Sequence, residues 1–164
     1  MNSVFLQRRM AILPFLSSGF ARTALIVMVC AVPRFVYLWI TGPDDPHVYP
    51  WLLSEGLLSS GTLLYDGVPA GAFEPLHPLL IAVARLATGD HLNAILSLQI
   101  GIACVAAVML DRLTRQMAGS ARAGLLAAGA YAGSPYLIRH ASSWMEITLL
   151  TTLLCAGWLA GARA

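Results

Sequence analysis

The stretch "ARTALIVMVCAVPRFVYLWI", residues 21–40, is almost free of polar side chains and sets the class of fold. About 20 mostly apolar residues make a helix long enough to cross a bilayer. Arg8, Arg9 and Arg22 precede the apolar run that starts at Thr23, as in a secretory signal, but no A-x-A-like cleavage pattern follows it. We therefore expect an uncleaved first membrane span.

The composition indicates an integral membrane protein. Of 164 residues, 58% are hydrophobic and 11% charged, and the mean hydropathy is +0.73; soluble domains have about 25% charged residues. The net charge is only +2 and there is no basic run, which excludes nucleic-acid binding. Cys30, Cys104 and Cys155 lie far apart inside apolar runs, without zinc-site spacing, and are expected to be buried free thiols.

The remaining apolar segments predict an all-α integral membrane protein with about four transmembrane helices. The expected spans are residues 21–40, 92–110, 123–138 and 144–159, within a membrane domain of residues 21–164. Residues 1–20 are expected to form a cytoplasmic or interfacial N-terminal segment. The apolar run at 76–87 is too short to cross and is expected to be a re-entrant or interfacial helix. Small residues in "GLLAAGAYAG" predict close helix–helix approach.

Arginine bias orients these spans, because cytoplasmic flanks carry the excess of positive charge. With the N-terminus inside, the arginine-rich turn "DRLTRQMAGSAR" and the C-terminus are also cytoplasmic. Residues 41–91 then form a long first external loop, which holds six of the eight acidic residues. Within it, Pro50 is expected to open an interfacial helix that ends at Gly61, with Trp51 among the headgroups. Long loops of this kind commonly carry function.

Asp44 and Asp45, in "GPDDPHVYP" at 42–50, are the first candidates for chemistry. An aspartate can act as a general base on an attacking hydroxyl or amine, or help bind a hard cation. The alternative is a solvated turn, since Gly-Pro-Asp-Asp-Pro is strong turn chemistry.

Polar residues near the apolar segments are further candidates, each with a structural alternative. Arg34 is a functional candidate because charge inside lipid is costly, or else its side chain reaches the outer headgroups. His77 either binds phosphate or caps the re-entrant helix. Glu146 either faces the cavity of the loop acids or favours a helix N-terminus. Gln99 is expected to make an interhelical hydrogen bond.

The order of these motifs resembles the N-terminal part of GT-C type membrane glycosyltransferases. The first span has an Arg near its end, and an acidic pair with a Tyr soon after follows it. Next come a helix ending in Gly, the segment "YDG" and then "FEPLHPLLIAVARLATG". "EPLHPLL", at 74–80, is similar to the "P-P-L-x-P/Y-L-L" segment of glycosyltransferase 39/83-like enzymes, protein O-mannosyltransferases and aminoarabinose transferases. Residues 110–150 resemble their next helix pair.

This resemblance implies transfer of a sugar from a polyprenyl-phosphate donor to an extracytoplasmic acceptor, in a bacterial inner membrane. Asp44 or Asp45 would be the catalytic base, with the choice between them left open. Arg34, His77 and Arg139 would bind the donor phosphate, and Tyr49, Glu74 and Glu146 are the other candidates. No cofactor is implied beyond a divalent cation that the carboxylates could hold. The lipid bilayer and the isoprenoid donor are the expected partners.

Enzymes of that family have more membrane helices than four, whereas this chain ends at "AGWLAGARA". We therefore expect a fragment, a truncated reading frame or one part of a split enzyme whose missing helices a second chain supplies. Two alternatives stay open: a noncatalytic small membrane scaffold or partner subunit, and a transporter fragment with Arg34 and Glu146 on the path.

Overall fold

The computed structural model describes residues 19–42, 49–65, 68–69, 76–141 and 147–161. These residues are helical apart from short connections and one pair of two-residue strands. The helices are α1 (Gly19–Thr41), α2 (Tyr49–Ser60), α3 (Leu76–Thr88), α4 (Leu92–Ala118), α5 (Ala121–Gly133), α6 (Pro135–Ala141) and α7 (Ile147–Gly161). Strands β1 (Leu64–Tyr65) and β2 (Val68–Pro69) pair antiparallel, with Leu64 opposite Pro69.

Two of the described helices, α1 with 23 residues and α4 with 27, are long and apolar enough to cross a membrane. They match the first two predicted spans. The helix predicted at 76–87 is present as α3, a shorter apolar helix. Helix α2 confirms the predicted helix after the acidic pair, and it ends where expected because Gly61 has a φ of 71°, a conformation that glycine adopts without steric cost.

The third predicted span, residues 123–138, is interrupted in the structure. Helix α5 ends at Gly133, and α6 starts again at Pro135. Proline has no N–H for the Tyr131 carbonyl and disfavours helical backbone at the residue before it. Ser134 begins the new helix: its carbonyl accepts a hydrogen bond from the Ile138 N–H at 2.9 Å. Neither α5, α6 nor the 15-residue α7 reaches the length of a span in the described residues.

The arginine-rich segment predicted as a turn is mostly helix. Helix α4 continues through it to Ala118, and the actual turn is only Gly119 and Ser120. Gly119 takes the left-handed conformation that ends α4, and the Ser120 hydroxyl accepts a hydrogen bond from the Ala123 N–H at the start of α5. The prediction failed because polar side chains were taken as the end of the helix.

The long helices pack as an up-and-down bundle. Helix α1 is antiparallel to α4, since Arg22 contacts Asp111 and the Cys104 thiol lies 3.8 Å from the Val27 carbonyl. Helix α5 runs beside both, and α7 packs on α4, where the Thr152 hydroxyl lies 3.5 Å from the Ile102 carbonyl. All three cysteines are buried and free, as expected.

Small residues make the bundle tight, as their abundance predicted. Buried alanines line α4 and α5: Ala103, Ala106, Ala107, Ala128 and Ala132. The closest approach is at Gly124, where an added Cβ would stand 2.7 Å from the Asp111 main-chain oxygen. We call the end of the bundle with Arg22, Asp111 and the Gly119–Ser120 turn the arginine end. The opposite end, with Arg34, α2 and α3, is the loop end.

Candidate functional site

Several predicted site residues lie outside the part of the chain that the structure describes. Asp44, Asp45, Glu74 and Glu146 are in this group, and so is any cation that the carboxylates would hold. Tyr49 is the first residue of α2. The described candidates are therefore Arg34, His77 and Arg139, and their surroundings define what the loop end can do.

Arg34 is fully buried, with 0% of its surface exposed, so its side chain does not extend to the headgroups. Its Nη1 donates to the carbonyl oxygens of Cys30 at 2.8 Å and Ala132 at 3.1 Å, and its Nη2 lies 3.5 Å from that of Tyr131. The guanidinium carbon is also 5.5 Å from the centre of the Tyr131 ring. The cation is thus placed among main-chain oxygens and an aromatic ring.

These contacts have a simple cause in the break at Pro135. In the last turn of a helix, the carbonyl oxygens receive no hydrogen bonds from N–H groups of the same helix. The negative end of the helix dipole at that point attracts positive charge. Arg34 on α1 supplies both the N–H donors and the charge for the end of α5. A buried cation next to a helix end inside an apolar bundle is the arrangement expected at a functional site, and it also has this structural role.

His77 and Gln99 form a second buried polar contact. Gln99 Nε2 and His77 Nε2 are 3.1 Å apart, and the residues are 5% and 3% exposed. This confirms the interhelical hydrogen bond predicted for Gln99, and it joins α3 to α4. Among the described residues, His77 Nδ1 and Gln99 Oε1 find no hydrogen-bond partner.

The two atoms define the hydrogen-bonding chemistry that this buried contact still offers. If the Gln99 amide donates to His77 Nε2, the histidine proton is on Nδ1, and the described part of the chain offers neither an acceptor to Nδ1 nor a donor to Gln99 Oε1. Turning the amide exchanges these roles, so the pair always keeps one unused donor and one unused acceptor. Burial lowers the pKa of His77 to about 4, so the ring is neutral near pH 7 and offers hydrogen bonds rather than charge.

Arg34 and the His77–Gln99 pair lie at similar heights in the bundle. Counting from the Val27–Cys104 contact, Arg34 is about 10 Å and Gln99 about 8 Å towards the loop end, at 1.5 Å per residue. The antiparallel helices therefore carry two of the three described candidates into the same layer of the bundle, at its loop end.

Arg85 forms a cluster that the sequence did not reveal. Its guanidinium carbon is 4.1 Å from the centre of the Trp51 ring. It donates from Nε to Asp90 Oδ1 at 2.6 Å and from Nη1 to the Ser54 hydroxyl at 3.0 Å. Trp51 is only 8% exposed, so the ring packs against α3 and is not free to insert among headgroups, contrary to the prediction.

The Arg85 cluster joins α2 to α3. A cation held by an aromatic face, a hydroxyl and a carboxylate is a strong local contact because three kinds of interaction converge on one group. The hydrogen bond from Arg85 holds the pKa of the Asp90 carboxyl below its ordinary value. Helices α2 and α3 therefore form one unit above α4.

Arg139, the third described phosphate candidate, is on α6 and exposed. Its guanidinium makes none of the hydrogen bonds, ion pairs or ring contacts found among the described residues. The described structure therefore does not bring it into contact with Arg34 or His77. The same part of the chain contains no group of three His, Cys, Asp or Glu residues arranged to hold a metal ion.

The arginine end contains a buried ion pair that sequence analysis also missed. Arg22 donates from Nε to Asp111 Oδ2 at 3.0 Å and from Nη2 to Asp111 Oδ1, and its Nη2 also donates to the Ala121 carbonyl at 2.6 Å. Arg22 is 5% and Asp111 3% exposed. Arg22 therefore serves as a link between α1, α4 and α5, beyond its expected place as a flanking charge.

Comparison of the whole chain with protein-family models, characterised proteins and solved structures gives no match.

Proposed function

We propose that the protein transfers a sugar from a polyprenyl-phosphate donor to an extracytoplasmic acceptor, working at the loop end as the N-terminal part of a larger enzyme. It would be a multi-pass protein of a bacterial inner membrane with four crossings and both termini cytoplasmic. The two shorter crossings would be α5 continued by α6, and α7 with the residues that precede it. Asp44 or Asp45 would be the general base.

The exposed apolar surface supports a membrane location. Large apolar side chains cover the outside of α1, including Phe20, Met28, Trp39 and Ile40, which are 61–87% exposed. On α3 the exposed apolar residues recur every three or four positions: Leu76, Leu79, Val83 and Leu86. A helix with one such stripe and one packed face fits a position at the lipid surface. Soluble monomers rarely expose apolar patches larger than a few hundred Å².

The observation that carries the proposal is the buried polar layer at the loop end. Arg34, His77 and Gln99 lie among apolar helices, where polar groups are costly to bury and ionisable side chains commonly mark ligand pathways. The unused donor and acceptor of the His77–Gln99 pair suit a hydroxyl group, which can accept one hydrogen bond and donate another. Sugar hydroxyls have this chemistry.

An apolar groove supports the lipid part of the donor. It lies between α1 and α5, has a volume of about 230 Å³ and is lined by Leu25, Val29, Leu125 and their neighbours. It extends to Ala132, whose carbonyl accepts a hydrogen bond from Arg34. A branched apolar chain in this groove would be directed towards the polar layer.

The test is sugar transfer in membranes of the native host, where any partner subunit is present. Membranes carrying wild-type protein, Asp44→Asn or Asp45→Asn are incubated with radiolabelled polyprenyl-phosphate mannose, and label in acceptor is counted. Glu55→Gln is the matched control because Glu55 is an exposed carboxylate of the same loop, on α2. We expect one aspartate variant to lose transfer at normal expression and the control to keep it. Full transfer by both aspartate variants would contradict the assignment and favour a noncatalytic scaffold.

A further inference from the structure

The arginine end contains a cavity of about 490 Å³ that plays no part in the proposed sugar transfer. Its walls come from the last turns of α4, the Gly119–Ser120 turn, the start of α5 and Leu159 of α7. Its volume is in the range of ligand sites, about 300–1,000 Å³. Because α7 closes one side, the cavity is formed by three helices and not by the turn alone.

The cavity is lined by positive side chains. Arg112 and Arg115 line it one helical turn apart on α4, and Gln116 adds an amide. Arg112 is exposed, and the Arg115 side chain is 46% exposed, so both can reach a bound group. Guanidinium groups bind phosphate oxygens through paired N–H donors.

Asp111 does not cancel this charge. Its carboxylate is already held by two nitrogens of buried Arg22, while Arg115 Nη1 stays 3.9 Å away, too far for a strong hydrogen bond. The four groups Arg22, Asp111, Arg112 and Arg115 therefore sum to about two positive charges. Asp111 is the sole acidic residue at this end in the described part of the chain, so the surplus is not offset locally.

The start of α5 adds to this electrostatic preference. Ala121, its first residue, lines the cavity, and the first turn of a 13-residue helix presents N–H groups and the positive end of its dipole. The Ser120 hydroxyl accepts a hydrogen bond from the Ala123 N–H, and the first N–H groups of any helix have no carbonyl partner within it. Anions bind helix starts for this reason.

We propose that this cavity binds a phosphate-bearing anion, held by Arg112 and Arg115. The same chemistry fits a free phosphate or pyrophosphate and the headgroup of an anionic phospholipid, since both present phosphate oxygens of about the same size. The site is at the opposite end of the bundle from the polar layer of Arg34 and His77, and it does not depend on the proposed sugar transfer.

The first experiment measures binding of inorganic phosphate and pyrophosphate to the full chain in phosphatidylcholine nanodiscs. The second uses native mass spectrometry to detect bound lipid when the nanodiscs contain phosphatidylglycerol. The test variant is Arg112→Gln with Arg115→Gln. The control is Arg122→Gln, which lowers the net charge by one unit, as the second test variant does, at an exposed arginine that does not line the cavity. A second test variant, Gln116→Glu, places a carboxylate inside the cavity.

We expect saturable binding by wild type and control, and binding at least about tenfold weaker in both test variants. Binding of the soluble probes identifies a free anion as the ligand source. Bound phosphatidylglycerol without soluble-probe binding identifies a headgroup. Equal losses in test and control variants would show an effect of net charge alone and overturn the proposal, as would the absence of binding to any probe.

Discussion

Replacing Gly124 by alanine tests the closest helix contact in the bundle. A Cβ at this position would stand 2.5 Å from Asp111 Oδ1, 2.6 Å from Arg115 Cγ and 2.7 Å from the Asp111 main-chain oxygen. The two side chains could turn aside, but the main-chain oxygen cannot. Restoring ordinary contact at 3.4 Å requires α4 and α5 to separate by about 0.7 Å.

The expected cost follows from this geometry. Overpacking of a tight contact destabilises by about 1–3 kcal/mol. Gly→Ala also raises helix propensity by about 0.8–1.0 kcal/mol, which would hide part of that cost. Gly129→Ala is the control, because it receives the same propensity gain on the same helix and its Cβ would meet nothing within 4 Å.

The assay is thermal unfolding of purified variants in the same detergent, monitored by scanning fluorimetry. At about 2–4 °C per kcal/mol for a chain of this size, Gly124→Ala should melt about 2–12 °C below Gly129→Ala. Gly129→Ala itself should melt at or above wild type. Equal melting temperatures for the two variants would refute the close approach of α4 and α5 and the geometry of the Asp111 site.

Two further predictions concern buried ionisable groups. Arg22→Gln leaves the Asp111 carboxylate buried without its partner and should lower the free energy of unfolding by about 3–5 kcal/mol. Adding Asp111→Asn should recover much of that stability. A double variant no more stable than Arg22→Gln would contradict the ion pair. Because the unfolded chain binds a proton on His77 below pH 6.5 and the folded chain only near pH 4, melting temperature should fall as pH drops between these values. His77→Gln should reduce that slope and exposed His91→Gln should not; equal slopes in all three proteins would argue against a buried neutral ring.

Periodicity and length predicted the long elements well because apolar runs depend on local sequence alone. The helices at Gly19–Thr41 and Leu92–Ala118, the short helix at Leu76–Thr88 and the stop at Gly61 all follow from such signals. The break before Pro135 was also visible in the sequence, since proline lacks the N–H that a continuous helix needs. Counting only apolar residues across 123–138 concealed it.

The polar contacts could not be predicted because they join residues far apart in the chain. Arg22 and Asp111 are separated by 89 positions, and no spacing rule connects them. Arg85 lies in the short apolar run at 76–87, and its place against Trp51 depends on how α2 folds over α3. Gln99 was predicted to bond to a neighbouring helix because a lone amide in an apolar run needs a partner, but nothing in the pattern identified His77 as that partner.

The Arg22 contact has a consequence for the order in which the molecule is assembled. Its partners, Asp111 and the Ala121 carbonyl, are both synthesised before α7. The contacts of Arg34 with Tyr131 and Ala132 are likewise complete before that helix exists. A growing chain can therefore join α1, α4 and α5 through two arginines while α7 is still in the ribosome, and α7 then docks on a surface that is already formed.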